Sequence, residues 1–168
     1  MDETNILELE LKERPTYLFS LNGYDNFPNS VKKYLKVGED MGLPNRPLIK
    51  QRKPWYKMEK REIPPLLFAY LGRRNIRFIL NEAGVLPLTG FLCVYPKYND
   101  PIYITNLWKA LNHPDTLENL KLVGKSYGSG ALKVEPRNLD KLPIPENIVE
   151  EFNLVRNDNK TFKQFEIF

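Results

Sequence analysis

Apolar positions in this chain come in short runs separated by proline and glycine, and the spacing changes from run to run. In residues 29–41, Val31, Tyr34, Leu35 and Met41 fall at roughly helical spacing. Asn29 or Ser30 can cap this helix, and Gly42 and Pro44 end it. Two strand-like runs follow, 66–71 (LLFAYL) and 75–80 (NIRFIL). In the second, Ile76, Phe78 and Leu80 share one face and Arg77 takes the other. Gly72-Arg73-Arg74 between them fits a tight turn, and 90–96 (GFLCVYP) is a further strand. Residues 104–113 read as a helix with Leu107, Leu111 and Trp108 on its apolar side. Residues 115–123 read as another, with Asp115 as cap and Glu118 completing a capping box. Leu132 and Val134 alternate with Lys133 as in a short strand, and 146–155 form a last helix. Residues 1–27 carry no such period: they are acidic first, then rich in turn residues.

The pattern gives an α+β fold, a short mixed or antiparallel sheet with flanking short helices and proline-rich loops. No regular strand–helix alternation appears, so a doubly wound nucleotide fold is excluded. The 14 prolines in 168 residues disfavour a helix bundle. A hydrophobic share of 42% rules out disorder for most of the chain. The single cysteine, Cys93, sits in an apolar run and reads as a buried, inert thiol. With one histidine beside it in the count, it cannot build a zinc site. The acidic start is no secretory signal, and no stretch reaches the ~20 apolar residues of a membrane span. A cytoplasmic setting is expected, with no membrane partner.

Charge changes the picture more than composition does. The chain's net charge is only +4. Between Arg46 and Arg77, however, stand Arg46, Lys50, Arg52, Lys53, Lys57, Lys60, Arg61, Arg73, Arg74 and Arg77, opposed by Glu59 and Glu62 alone. That segment holds +8 and the remainder −4. Such a field suits a polyanion, the plain alternative being a solvated basic face. Aromatics interleave with the cations: Trp55, Tyr56, Phe68, Tyr70 and Phe78. Phe68 and Phe78 read as core, while Trp55 and Tyr56 are open between core and nucleic acid. Lysines neutralise phosphates, and arginines do so or grip guanine edges bidentately. Arg52, Lys53, Trp55, Tyr56, Lys57, Arg73, Arg74, Arg77, Lys125, Tyr127 and Lys133 are the candidate DNA-binding residues.

Catalytic motifs fail one by one. Gly124-Lys125-Ser126 is spelled like the end of a phosphate loop, but Asn119 stands where the first glycine is required. Gly128 and Gly130 are followed by Lys133 where a dinucleotide loop needs its last glycine. These two glycines read instead as a structural turn between a helix and a short strand. His113, before Pro114, reads as a helix-terminal residue rather than a general base. Asp100-Pro101-Ile102-Tyr103 approaches an amino-methyltransferase motif but has Ile102 in place of its second proline. The chain is not expected to be an enzyme on its own, and neither catalytic nor metal-ligating residues are assigned.

Several segments, in order, resemble one family. VKKYLKVGEDMGL (31–43) is similar to a helix preceding a recognition region, and RKPWYKM (52–58) to an R-x-x-W-Y element. Residues 64–84 resemble its P-x-I…R-F-x-x-N element, FLCVYP (91–96) its following strand, and LWKALNH (107–113) its Leu-Asn-Ser helix. Residues 128–145 resemble its G-x-G-x-x-K-x-E-P-x-x-L-x-x-L-P-I-P. The family is the carboxy-terminal target-recognition region of bacterial N6-adenine DNA methyltransferases of restriction–modification systems, of Taq or Eco57 type.

The resemblance implies a domain that reads a short double-stranded DNA sequence for a catalytic half, in cis or in trans. That half, with its Asn-Pro-Pro-Tyr-type motif and its S-adenosylmethionine site, has no counterpart in these 168 residues. The expected organisation is an acidic tail or linker over 1–27, a recognition domain over 28–145, and a closing helix and tail over 146–168. Three alternatives stay open. One is a type I restriction specificity-subunit module, since Leu142-Pro143-Ile144-Pro145 before a helix also resembles those subunits. The others are a protein-interaction module of a restriction complex and a single-strand or RNA binder.

Overall fold

A computed structural model describes residues 1–69, 71–72, 76–88, 90–127 and 131–155. In chain order the elements are α1 (Glu3–Leu11), α2 (Asn29–Asp40), β1 (Leu66–Phe68), β2 (Leu71–Gly72), β3 (Phe78–Leu80) and β4 (Leu92–Val94). After them come α3 (Pro101–Leu111), α4 (Pro114–Glu118), α5 (Leu120–Val123), β5 (Lys125–Tyr127), β6 (Ala131–Lys133), α6 (Pro136–Leu139) and α7 (Glu146–Glu151). The fold is α+β, as the periodicity indicates. The chain forms two compact units, Met1–Glu13 with Glu62–Phe168, and Arg14–Arg61.

The first unit is built on two three-stranded antiparallel sheets, ordered β3-β1-β4 and β2-β6-β5. Leu66, Leu67 and Phe68 of β1, the central strand of its sheet, are all buried. Its register sets Phe68 opposite Phe78 and Leu67 opposite Cys93. The two phenylalanine rings lie 4.7 Å apart, so both are core, and Cys93 is buried. Ile76 and Leu80 also pack on the core, with Arg77 exposed between them, as a half-buried strand requires. Leu107, Ala110 and Leu111 of α3 fall at helical spacing and bury one stripe of that helix against the sheet. Leu120, Val134, Leu139, Leu142, Ile148 and Leu154 close the core.

Several boundaries differ from the sequence pattern, each for a local reason. Residues 3–11 form a helix where none is legible. Asp2 Oδ1 accepts from the Asn5 N–H at 2.9 Å, and Asn5 Oδ1 accepts from the Asp2 N–H at 3.1 Å, which makes a capping box. Met1 is tied to the first unit, its ammonium donating to the Leu80 carbonyl at 2.8 Å. Helix α2 begins at Asn29 after Pro28, with no side-chain cap. Gly42 then leaves it in a left-handed turn at φ 70°, as the sequence indicates. The segment 115–123 is two short helices, and His113, not Asp115, is the first one's N-cap. Its Nδ1 accepts from the Asp115 N–H at 3.3 Å, which bears out the helix-terminal reading. Lys125–Tyr127 is a strand, so the residues before the glycine pair are extended rather than helical. Gly128 and Gly130 themselves lie outside the described residues.

Candidate nucleic-acid interface

In the Arg14–Arg61 unit, the candidate cations and aromatics share one turn. Lys57 N–H donates to the Pro54 carbonyl at 3.0 Å, and Arg52 Nη1 donates to the Lys57 carbonyl at 3.3 Å. The Lys53–Pro54 peptide bond is cis. Arg52, Lys53 and Lys57 are exposed, and Trp55 and Tyr56 are half-buried. Trp55 meets Tyr56 edge to face at 5.8 Å, and Tyr56 meets Phe27 likewise at 5.5 Å. A Cβ placed on Gly38 of α2 would lie 2.6 Å from Trp55 Cη2, so the indole occupies space that only glycine leaves open. Trp55 therefore anchors the turn to its helix, while three cations project from it. The base of the turn is fastened by Asn22. Its Oδ1 accepts from the Met58 N–H and its Nδ2 donates to the Met58 carbonyl, both at 2.9 Å.

In the other unit, Arg77 is exposed immediately before β3. Lys125 and Lys133 are direct partners across the β5–β6 pair, so two like charges face the same neighbourhood. Lys133 is held by Glu135, Nζ to Oε1 at 2.8 Å. That bond and the Lys133 charge, with Lys125 adding, keep the Glu135 carboxyl below the usual carboxylate range. Tyr127 belongs to β5. Arg73 and Arg74 lie outside the described residues.

The near-miss phosphate loop has a packing explanation. A Cβ on Gly124 would stand 2.6 Å from Leu132 Cδ1 and 2.9 Å from the Leu120 carbonyl oxygen. Leu132 thus packs directly on Gly124, and glycine is required there by close packing. Asp100 is likewise a helix cap: its Oδ1 accepts from the Tyr103 N–H at 2.8 Å, and Pro101 opens α3. Among the described residues no group of three histidine, cysteine or carboxylate side chains gathers to hold a metal. No helix among them is long and apolar enough to cross a membrane.

Three asparagines and one glutamate, none singled out from the sequence, hold these pieces in place. Asn112, at the end of α3, is clamped on β3. Its Oδ1 accepts from the Phe78 N–H and its Nδ2 donates to the Phe78 carbonyl, both at 3.0 Å. Trp108 Nε1 donates to that carbonyl too, at 3.0 Å. Asn81 is buried and donates through Nδ2 to the carbonyls of Pro64 and Val85 at 2.8 and 2.9 Å. Asn22 holds the basic turn, and Glu135 restrains Lys133. The Lys133–Glu135 pair was legible, since residues i and i+2 of an extended chain share a face. The asparagine clamps carry no local sequence signal, because each also reaches a partner far along the chain: Pro64, 17 positions from Asn81, Phe78, 34 from Asn112, and Met58, 36 from Asn22.

The family model of the C-terminal domain of the type II methyltransferase M.Eco57I matches residues 1–167. The chain belongs to this family. The type II methyltransferase M.AccI of Acinetobacter calcoaceticus is 29% identical over 134 residues, covering 79% of this chain and 25% of that protein. The chain thus spans about a quarter of the length of that relative. No solved structure matches.

The ordered motifs of this family member have local roles in the structure. In R-x-x-W-Y, Arg52 ties the turn and Trp55 wedges it onto α2. In R-F-x-x-N, Phe78 is core, Asn81 is a clamp and Arg77 is left on the surface. In the final motif, Val134, Leu139 and Leu142 are core, and the Pro143 carbonyl accepts from Asn119 Nδ2 at 2.9 Å. Most motif positions therefore build the scaffold. The surface carries Arg52, Lys53, Lys57, Arg77 and Lys125.

Proposed function

We propose that this chain is the DNA target-recognition domain of a site-specific adenine-N6 methyltransferase of a restriction–modification system. The observation that carries the reading is the placement of the basic residues. Arg52, Lys53, Lys57, Arg77 and Lys125 stand exposed on tightly held turns and strands of a chain in the M.Eco57I C-terminal domain family. Cations fixed on rigid elements can track a phosphate backbone, and an arginine among them can read a guanine edge. Arg73 and Arg74 belong to the same +8 segment and join this candidate set. Double-stranded DNA is the partner on this reading. Methyl-donor binding and catalysis fall to polypeptide outside the matched segment.

The half-burial of Trp55 and Tyr56 favours a duplex over a single strand, because a stacking platform needs its ring faces free. A competition assay tests this. Labelled duplex bound to the chain should be displaced by unlabelled duplex at much lower concentration than by the corresponding single strand. Preferential displacement by single strand would reverse the reading. Alanine at Arg73 or Arg74 should relax sequence preference or cost ~1–3 kcal/mol of specific binding if either contacts a base.

A further inference from the structure

The Arg14–Arg61 unit cannot complete a core from its own residues. Within it only Leu21 and Gly38 are buried, and at about 50 residues it is below the size at which a domain without disulfide or metal closes comfortably. Its apolar residues are nevertheless plentiful, and they are organised. Val31, Leu35 and Gly38 of α2 face inward or half inward. On a second face of the same helix, Tyr34, Val37 and Met41 are 64%, 56% and 64% exposed at helical spacing. Leu18 and Phe19 extend this face at 44% and 56% exposure, and the Phe19 ring meets Tyr34 edge to face at 5.7 Å. Between them opens a cavity of about 320 Å³. Lys36 and Asp40, paired at 2.8 Å, lie on the polar side of the helix. An apolar centre with a polar rim is the anatomy of a protein interface.

Three occupants compete for this face. DNA does not match it, because the patch offers rings and aliphatic groups where phosphates need cations. A second copy does not match either. One stripe of a twelve-residue helix with two flanking residues falls well short of the ~800 Å² per partner of a stable dimer. The third is further methyltransferase polypeptide. The matched segment is only 25% of M.AccI, so that relative carries about three times as much chain again.

We propose that the Tyr34–Val37–Met41 face of α2, with Leu18 and Phe19, is the seat of the catalytic portion of a type II methyltransferase, which closes the apolar side of this unit. The proposal rests on the family membership and not on the DNA reading.

Met41 is the reporter, because an exposed methionine oxidises readily and a covered one does not. The whole 168-residue chain is compared with a chimera in which it replaces the matched segment of M.AccI. Both are treated with dilute peroxide, and half-buried Met58 is the internal reference. Met41 should oxidise at least tenfold more slowly in the chimera, and Val37→Glu should restore the fast rate there. The same substitution should leave duplex binding by the isolated chain unchanged, which separates failure of docking from failure of DNA recognition. Equal Met41 rates in chain and chimera would overturn the proposal. So would protection in the isolated chain accompanied by a dimeric mass in light scattering.

Discussion

Replacing Asn112 by alanine separates scaffold from reader, because the structure states which atoms are orphaned. Three side-chain hydrogen bonds disappear: from the Phe78 N–H, to the Phe78 carbonyl and to the Trp108 carbonyl. The Phe78 carbonyl keeps Trp108 Nε1, and the Trp108 carbonyl keeps the Asn112 N–H at 3.1 Å. The Phe78 N–H loses its partner at a residue only 3% exposed. Stranding one buried donor costs ~1–3 kcal/mol, and that sets the scale of the whole effect. For a chain of this size it corresponds to a fall in melting temperature of roughly 3–10 °C. Urea unfolding should show a lower midpoint with an unchanged slope, since the surface exposed on unfolding is the same. Duplex binding below the midpoint should be intact. A variant with wild-type stability that no longer binds duplex would refute this reasoning and make Asn112 a DNA contact.

Other outcomes follow from the same geometry. Gly124→Ala drives a methyl group into Leu132 and the Leu120 carbonyl, and should cost ~1–3 kcal/mol of stability without creating or removing any nucleotide binding. Glu135→Gln removes the ion pair to Lys133 and should steepen the salt dependence of duplex binding by up to about 0.9 in log–log slope, one phosphate's worth. The sign with pH follows from the lowered carboxyl. The ion pair is present above the ordinary glutamate range and is lost as pH falls through the depressed value, so wild type should converge on the glutamine variant in acid. Identical slopes for the two proteins at neutral pH would contradict it.

Much of the core was legible because it depends on short-range period. Ile76, Phe78 and Leu80 alternate as a strand must, and Leu107 and Leu111 recur as a helix must. What escaped reading depends on partners far along the chain. The helix at Glu3–Leu11 buries none of its own residues, so no apolar stripe announces it. The single stretch 66–71 contributes to both sheets, through β1 and β2, a split that its unbroken apolar run conceals. Trp55 could be placed between core and surface but not assigned, because its seat exists only where Gly38 of another element makes room. The candidate site was legible as charge: Arg52, Lys53, Lys57 and Arg77 are exposed as their sequence context indicates. Lys133 differs: it is half-buried and paired with Glu135, a pairing that the i, i+2 spacing of an extended chain allows, and the pair changes what it can offer to a phosphate.

On the proposed function, the exposed cations bind a DNA duplex. The affinity of the chain for duplex oligonucleotides across a salt series tests this. Each phosphate neutralised contributes about −0.9 to the log–log slope, so engagement of Arg52, Lys53, Lys57, Arg77 and Lys125 predicts a slope steeper than about −3. Replacing Arg52 and Lys57 by alanine should then flatten it by about 1.8. A slope near zero, or no duplex binding at low salt, would mean that these cations do not engage DNA.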